Sequence, residues 1–392
     1  MQPDECVSER AETTCESLIK AKPGTNIVAS ETLLRLPLCK LASIAQGEAK
    51  VELMTALGYK NDDSLSTCFM VKDSINEMTI SDLTHTNRIF VNYIKEIDPN
   101  FIINSTENFG IKVDKVGFNY PKAAVSYINN LIGTTTLRRI TDVVDDSDIN
   151  KETEMIIVTA AHFKGTWEFP FDFRLTKLRD FHPTEGKIIR IPMMTKTDMF
   201  RYIENKDCQA VSIRFGSSRA SFTIILPNSP QQLPALLDNI YNQKAYVYSL
   251  VTRMRNQPLK VTFPRFKVKS FIDLTESVKK LGLNTIFNTT SSGLEGILRN
   301  SNKSIALNKI KQKLFVQIDE VGVARFIHFE NMGPPQVQES YFENSPQFTA
   351  DRPFYFDISL DFDNARYEMF TGVYYGPEET TTANEIQIKA SK

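Results

Sequence analysis

The hydrophobic pattern changes along the chain from helical to strand-like. In the first third, apolar residues recur at three- and four-residue spacing, which predicts helices over 15–22, 30–45 and 48–57, the last ending at Gly58. From Met155 onward, short runs rich in Ile, Val, Phe and Thr predict strands. The predicted strands are 155–163, 187–202, 209–215, 220–226, 259–268, 310–320, 353–360 and 367–375, of which 259–268 is broken by Pro264. Helices are predicted at 232–239, 243–254 and 273–281. Helices first and strands later, without regular alternation, indicate an α+β fold.

Nothing in the pattern divides the chain into separate domains. No internal repeat and no long linker occurs in its 392 residues. We therefore expect a single domain over residues 1–377, followed by a flexible tail over 378–392. The longest apolar run, near Met155–Ala161, is far shorter than the ~20 residues of a membrane-spanning helix. We expect no membrane span.

The charge balance argues against a polyanionic partner. The chain has 46 Lys and Arg against 47 Asp and Glu, a net charge of −1. No overall basic field therefore attracts nucleic acid or acidic lipid. Two local basic stretches, Arg138-Arg139 and Lys260–Lys269, are interpreted as solvated faces. We expect neither a nucleic-acid nor a membrane partner.

The five cysteines do not define a compartment. They contain no C-x-x-C pair, and their odd number leaves at least one thiol free. If Cys6 and Cys15 share one helix, they lie ~13 Å apart, beyond disulfide reach. Buried free thiols are therefore favoured over a disulfide framework. The cysteines are Cys6, Cys15, Cys39, Cys68 and Cys208.

Two further features bear on secretion. The N-terminal residues have no basic start and no apolar core, so we find no signal peptide, which fits a cytosolic protein or a mature secreted one. Three glycosylation sequons begin at Asn104, Asn288 and Asn302. A chain this rich in Asn, Ser and Thr contains about that many by chance, so they carry little weight.

Catalytic and cofactor motifs are missing. The sequence has no G-x-S-x-G, no H-E-x-x-H, no phosphate-binding loop and no G-x-G-x-x-G. His162 lies within an apolar strand and is interpreted as a hydrogen-bonded core residue. The four histidines, which have no partner at metal-ligand spacing, are His85, His162, His182 and His328. We expect no enzyme activity, no cofactor and no metal.

Several motifs in register carry a family resemblance. Val158–Trp167 ends in F-K-G-T-W and contains the only tryptophan, and Ile318–Gly322 reads I-D-E-V-G. The other matching segments are Phe181–Lys187, Ile191–Met194, Phe200–Tyr202, Ile224–Pro227, Phe263–Lys267, Asp273-Leu274, Leu281-Gly282, Phe348–Phe354 and Phe370–Val373. Together these segments resemble the serpin family over nearly the whole chain.

The resemblance implies a fold and a mechanism. The fold has about nine helices around three β-sheets, with an exposed reactive loop over about 321–347. In inhibitory serpins a protease cleaves this loop, which then inserts as a new strand and traps the protease. We therefore expect a serpin-type endopeptidase inhibitor that binds a serine or a papain-like cysteine protease. The resemblance also implies a monomer and an extracellular location, although a cytoplasmic one stays open.

The hinge of the predicted loop departs from the family pattern. After Glu320 and Gly322, small residues normally follow, whereas this chain continues with Val323, Arg325 and Phe329. Strand alternation places the last three on the face that insertion would bury. An unpaired buried Arg325 costs several kcal/mol, and Phe329 adds overpacking of about 1–3 kcal/mol. We therefore predict that the loop inserts poorly into the sheet, or that the gap in the sheet that would receive it has changed to accommodate these side chains.

The polar cluster that steadies the sheet also departs from the pattern. The family's Asn, His and Ser positions are occupied here by Thr159, Gln312 and Leu33, while Ser30 is kept. Loss of selection for trapping and adaptation to an unusual loop both explain these changes, and the sequence leaves them open.

The reactive bond is predicted from the family's spacing. Counted from Glu320, the cleaved bond falls between Gln336 and Val337. Neither residue is the basic or aromatic group that trypsin-like or chymotrypsin-like enzymes prefer.

The alternative to an inhibitor is a non-inhibitory serpin that acts as a carrier, a chaperone-like protein or an interaction protein.

Overall fold

The computed structural model describes residues 22–59, 67–79, 82–216, 219–243, 245–299, 303–321, 345–362 and 365–377. In this part of the chain the helices are α1 Glu31–Ala42, α2 Gly47–Leu57, α3 Thr67–Thr79, α4 Pro99–Phe109, α5 Pro121–Thr135, α6 Leu233–Asn242, α7 Tyr246–Arg253 and α8 Thr275–Lys280. The strands are β1 Ile27–Ala29, β2 Leu83–Asn92, β3 Ile111–Val116, β4 Met155–Lys164, β5 Lys177–Thr184, β6 Lys187–Glu204, β7 Cys208–Arg214, β8 Ala220–Pro227, β9 Arg255–Pro264, β10 Phe266–Asp273, β11 Lys309–Ile318, β12 Gln347–Thr349, β13 Phe354–Phe362 and β14 Ala365–Tyr374. Among the described helices, none has the length and apolar character needed to span a membrane.

Local sequence signals set the ends of the first helices. The Ser30 hydroxyl accepts the Leu33 N–H and caps α1, and the Asp98 carboxylate caps α4 ahead of Pro99. α2 ends at Gly58, whose φ of 72° is left-handed and suits a residue without a Cβ. The helices predicted over 30–45 and 48–57 are thus confirmed, with shifted ends.

Two predicted elements needed correction. The run predicted over 259–268 with a break at Pro264 is two separate strands, β9 and β10, because Pro264 has no N–H to continue the ladder and the chain changes sheets there. The helix predicted over 273–281 begins at Thr275, because Asp273 ends β10 and its carboxylate accepts the Thr275 N–H.

The described strands form two hydrogen-bonded sheets. One has five strands in the order β10-β11-β4-β2-β3. The other has nine: eight in the order β1-β14-β13-β8-β7-β6-β9-β12, and β5, which pairs with β6. In the five-stranded sheet, β2 runs antiparallel to β4 and parallel to β3. The three sheets expected from the resemblance become two here because the long β6 pairs with β5, β9 and β7.

The chain packs as two compact units. The first unit comprises Ala29–Phe163 and Ser270–Phe315. In it, α5 and the segment after it cover one face of the sheet, so that Ile128 and Ile132 are buried in the same apolar cluster as Phe90, Ile156 and Val158. We call α5 and the segment that follows it the cover.

The second unit comprises 22–28, Lys164–Lys269 and the described residues from 316 onward. Its core is aromatic: the fully buried Trp167 stacks on Phe215 at 4.7 Å, and Phe222 packs against Phe263 and Phe356. Such rings bury large areas and favour stacked and edge-on contacts.

The cysteines differ from the expectation. Cys39 of α1 and Cys68 of α3 form a disulfide, and both are fully buried. The preference for free thiols was therefore wrong for this pair and holds for Cys208, which is free and buried. Sequence could not pair Cys39 with Cys68, because the packing of α3 on α1 brings them together. Cys6 and Cys15 lie outside the described residues.

Candidate functional site

Strands β4 and β11 are neighbours in the five-stranded sheet although they come from distant parts of the chain. Where they begin, the Asn308 N–H donates to the Met155 carbonyl, and the Asn308 Oδ1 accepts the N–H groups of Glu154 and Met155. We call this boundary the seam. In the fold implied by the resemblance, an inserted strand would have to separate β4 from β11 here.

The chain leaves β11 through residues that we call the exit anchor: Gly165, Trp167, Asp319, Glu320 and Val321. The Trp167 indole N–H donates to the Asp319 carbonyl at 2.6 Å, and its backbone N–H donates to the Val321 carbonyl at 3.0 Å. The Glu320 carbonyl accepts from Phe171, and its carboxylate accepts the Thr176 hydroxyl at 2.8 Å. The segment that leads into the predicted loop is thus held through its backbone carbonyls and through the Glu320 carboxylate.

The exit anchor explains the F-K-G-T-W motif physically. A Cβ added to Gly165 would lie 2.1 Å from the Phe215 ring, the ring on which Trp167 stacks. Only glycine allows the backbone to pass this stack. The motif is therefore a packing requirement that places the indole N–H against Asp319.

Of the predicted hinge, only Glu320 is described. Its carboxylate lies 3.6 Å from Arg265, and it is mostly buried. Gly322, Val323, Arg325 and Phe329 lie outside the described residues, as do Gln336 and Val337. The predictions for these positions stay predictions.

A second set of residues forms what we call the seam cluster: Ser30, Leu33, Asn87, Thr159 and Gln312. The fully buried Gln312 donates its amide N–H to the Ser30 carbonyl at 2.9 Å and accepts the Ser30 N–H at 3.0 Å. Glutamine at this position therefore still ties β11 to the start of α1. Leu33 is fully buried and donates its backbone N–H to the Ser30 hydroxyl.

The other half of the seam cluster is not satisfied. Thr159 on β4 and Asn87 on β2 face each other in register. The Thr159 hydroxyl and both polar atoms of the Asn87 amide are buried without hydrogen-bond partners among the described residues. Each buried unsatisfied group costs about 1–3 kcal/mol. The sequence pointed to Thr159 but not to Asn87, because only the register of β2 with β4 brings the two residues together.

The cover of the first unit is fastened to β11 by charge. Lys311 forms an ion pair with Asp148 at 2.6 Å, and both side chains are almost fully buried. Lys313 binds Asp142 at 2.7 Å, and its hydrogen bond lowers the pKa of that carboxyl. Sequence reasoning missed these pairs, although the alternating lysines of β11 face an Asp-rich stretch, D-V-V-D-D-S-D.

The histidines form no catalytic constellation in the described part of the chain. His162 is buried on β4 and packs edge-on against Phe315 at 4.8 Å, as expected for a core residue. Burial lowers the pKa of His85 to about 4. No group of three or more potential metal ligands occurs among the described residues. His328 lies outside them.

Comparisons with known proteins cover nearly the whole chain. A family model described as Serpin (serine protease inhibitor) matches residues 10–376. The chain is 27% identical over 360 residues to antitrypsin of Bombyx mori, covering 91% of this chain and 90% of that protein. It is 28% identical over 347 residues to alaserpin of Manduca sexta, covering 88% and 87%. The crystal structure of native protease nexin-1 with heparin is similar at a TM-score of 0.80 and 23% identity, covering 93% of this chain and 96% of that one.

Proposed function

Because this chain belongs to the serpin family, we propose that it is an endopeptidase inhibitor that presents residues 321–347 as a reactive loop. Family membership confirms the serpin fold predicted from the motifs. Serpins are generally protease inhibitors rather than enzymes, and the names of the relatives antitrypsin and alaserpin agree with that. The proposed partner is a serine protease or a papain-like cysteine protease, and the proposed reactive bond is Gln336–Val337.

The observation that carries the proposal is the combination of the seam with an intact exit anchor. β4 and β11 already adjoin in a five-stranded sheet. The chain continues from Val321, held by Trp167, directly into the proposed loop. Inserting a strand at the seam would replace the β4–β11 contacts with two new ladders, a net gain in hydrogen bonds and buried area.

Insertion is opposed by the hinge and by the cover. Arg325 and Phe329 are proposed to limit the trapping step, for the charge and volume reasons given above. Opening the seam also moves β11, whose Lys311 is paired with Asp148 of the cover. We therefore propose an inhibitor whose loop inserts poorly, so that cleavage of the loop competes with trapping.

The second candidate is a non-inhibitory serpin that acts as a carrier, chaperone-like or interaction protein. The observation that favours it is the pair Asn87 and Thr159, which is unsatisfied among the described residues, Thr159 standing where the resemblance predicts a central-strand Asn. A sheet that no longer opens does not need that network.

We further propose that the protein is a monomer and extracellular. The Cys39–Cys68 disulfide supports the extracellular location, since such bonds form and persist mainly in oxidising compartments.

The proposal is tested with a panel of trypsin-like, chymotrypsin-like, elastase-like and papain-like proteases, read on denaturing gels. We expect the wild type to be mostly cleaved with at most a small fraction of covalent complex, and the double variant Arg325→Ala with Phe329→Thr to form a larger fraction of it. Val337→Pro, which blocks cleavage after Gln336, should abolish the complex, whereas Val321→Ala should keep it. Cleavage by every protease without any complex would support the non-inhibitory candidate instead.

A further inference from the structure

The three sequons differ in how the structure presents them. Asn104 lies within α4, Asn288 lies in an exposed loop after the short 3-10 turn Thr285–Phe287, and Asn302 lies outside the described residues. Asn104 and Asn288 both have threonine at the second position after the asparagine, at Thr106 and Thr290. The two described sequons are therefore matched in sequence and differ in conformation.

The loop brings the two chemical groups of its sequon together. The Asn288 side-chain oxygen accepts the backbone N–H of Thr290 at 2.9 Å and its hydroxyl at 2.8 Å. This is an Asx turn, a local conformation that Asn-x-Thr can adopt from its own sequence. Both bonds use the amide oxygen, and no hydrogen bond of the Asn288 Nδ2 is found among the described residues. The residue is exposed, as are Thr289 and Thr290.

The helix keeps the corresponding groups apart. Residues two apart on an α-helix are separated by about 200° around the axis, so they lie on nearly opposite sides. The Thr106 hydroxyl accordingly donates to the carbonyls of Ile102 and Ile111, at 3.2 and 3.3 Å, rather than approaching Asn104. Ser105, the middle residue of that sequon, is fully buried.

We propose that Asn288 is an N-glycan attachment site and that Asn104 is not. In the transfer, the Asn288 Nδ2 forms a bond to the anomeric carbon of an oligosaccharide carried on a lipid diphosphate. The bond between that carbon and the diphosphate oxygen breaks, the lipid diphosphate leaves, and the amide loses one proton to a base of the transferase. A bulky sugar is tolerated only at a surface position, and since Asn288 and Asn104 are both exposed, the difference between them lies in conformation. The site rests on the proposed extracellular location, which the buried Cys39–Cys68 disulfide supports independently.

The test is to secrete the full chain from insect cells behind a cleavable leader and treat it with peptide N-glycosidase. The enzyme converts a glycosylated Asn to Asp, which peptide mass spectrometry assigns to one position. We expect conversion at Asn288 and a glycosidase-sensitive gel shift that Asn288→Gln and Thr290→Ala both abolish. Thr290→Ser, Thr289→Ala and Asn104→Gln should keep the shift.

Two results would overturn the proposal: an unmodified Asn288 in the secreted wild-type protein, or a glycan at Asn104, whether or not Asn288 also carries one. Melting curves of Asn288→Gln and Thr290→Ala should match that of the deglycosylated wild type, which separates lost modification from lost folding. Because the leader is supplied and no protease is involved, the outcome is independent of whether the chain traps proteases.

Discussion

The exit anchor and the seam cluster show opposite consequences of keeping or changing family motifs. In the exit anchor the motif residues are kept, and Trp167 donates two hydrogen bonds to the segment that starts the proposed loop. In the seam cluster, Gln312, where the resemblance predicts a His, has a two-bond link to Ser30, whereas Thr159, where it predicts an Asn, leaves buried polar atoms without partners among the described residues. Departures from a motif are therefore not equivalent: one is compensated and the other is not.

The exit anchor bears on how the proposed loop is presented, whereas the seam cluster bears on whether the five-stranded sheet can open. The exit anchor holds the chain where the proposed loop begins, and it keeps the F-K-G-T-W motif. We propose that the seam cluster and the cover set how easily β4 and β11 separate. Since the net stability of a domain is only about 5–15 kcal/mol, a few unsatisfied groups at the seam are a substantial fraction of it.

The largest effect is expected for Trp167→Ala. The side chain is fully buried and stacks on Phe215, so its removal should lower the free energy of unfolding by about 3–5 kcal/mol. Phe169→Ala, whose ring is 60% exposed, should cost less than about 1 kcal/mol. Both are measured by urea denaturation followed by circular dichroism, because Trp167→Ala removes the only tryptophan and with it the tryptophan fluorescence signal. Equal losses would show that the exit anchor is not a stable core.

The next effect concerns the cover. Asp148→Asn leaves the buried Lys311 with Asp273 at 3.7 Å as its one ion-pair partner among the described residues, so we expect a loss of about 3 kcal/mol. Asp142→Asn removes a 77% exposed carboxylate and should cost less than about 1 kcal/mol. The double variant Asp148→Leu with Lys311→Met should recover much of the loss in urea denaturation. If Asp148→Asn and Asp142→Asn are equally mild, the ion pair does not fasten the cover.

The compensated half of the seam cluster is tested by Gln312→Leu. This change leaves the Ser30 N–H and carbonyl buried without their side-chain partner and should cost about 2–3 kcal/mol. Gln317→Leu, which loses one partly buried bond to Asp319, is the matched control on the same strand and should cost about 1 kcal/mol or less. A Gln312→Leu variant as stable as Gln317→Leu would mean that glutamine does not compensate for histidine.

The smallest effect has the opposite sign. Thr159→Val removes a buried hydroxyl that has no described partner and should raise the free energy of unfolding by up to about 1 kcal/mol. Thr223→Val is the contrast, because that buried hydroxyl is hydrogen-bonded to Arg366 and its loss should destabilise by about 1–2 kcal/mol. Destabilisation by Thr159→Val would show that its hydroxyl has a partner in solution and that the seam cluster is intact.

The sequence predicted the elements better than the contacts between them. Periodicity located α1, α2 and β4 because local patterns decide them, and Pro264 marked where the chain changes sheets. The pairs Cys39–Cys68, Lys311–Asp148 and Asn87–Thr159 were out of reach because strand register and helix packing create them. Alternation of lysines along β11 was a usable signal for the second pair. The reactive bond and most of the hinge rest on sequence spacing alone.

The most direct test of the account is the melting temperature before and after the proposed loop is nicked between Gly333 and Phe342. Insertion after cleavage would add a strand to the five-stranded sheet and raise the melting temperature sharply. We predict little or no rise in the wild type, because Arg325 and Phe329 oppose insertion, and a clear rise in the double variant Arg325→Ala with Phe329→Thr. A large rise in the cleaved wild type would contradict the account, since the seam would then accept the segment as it stands.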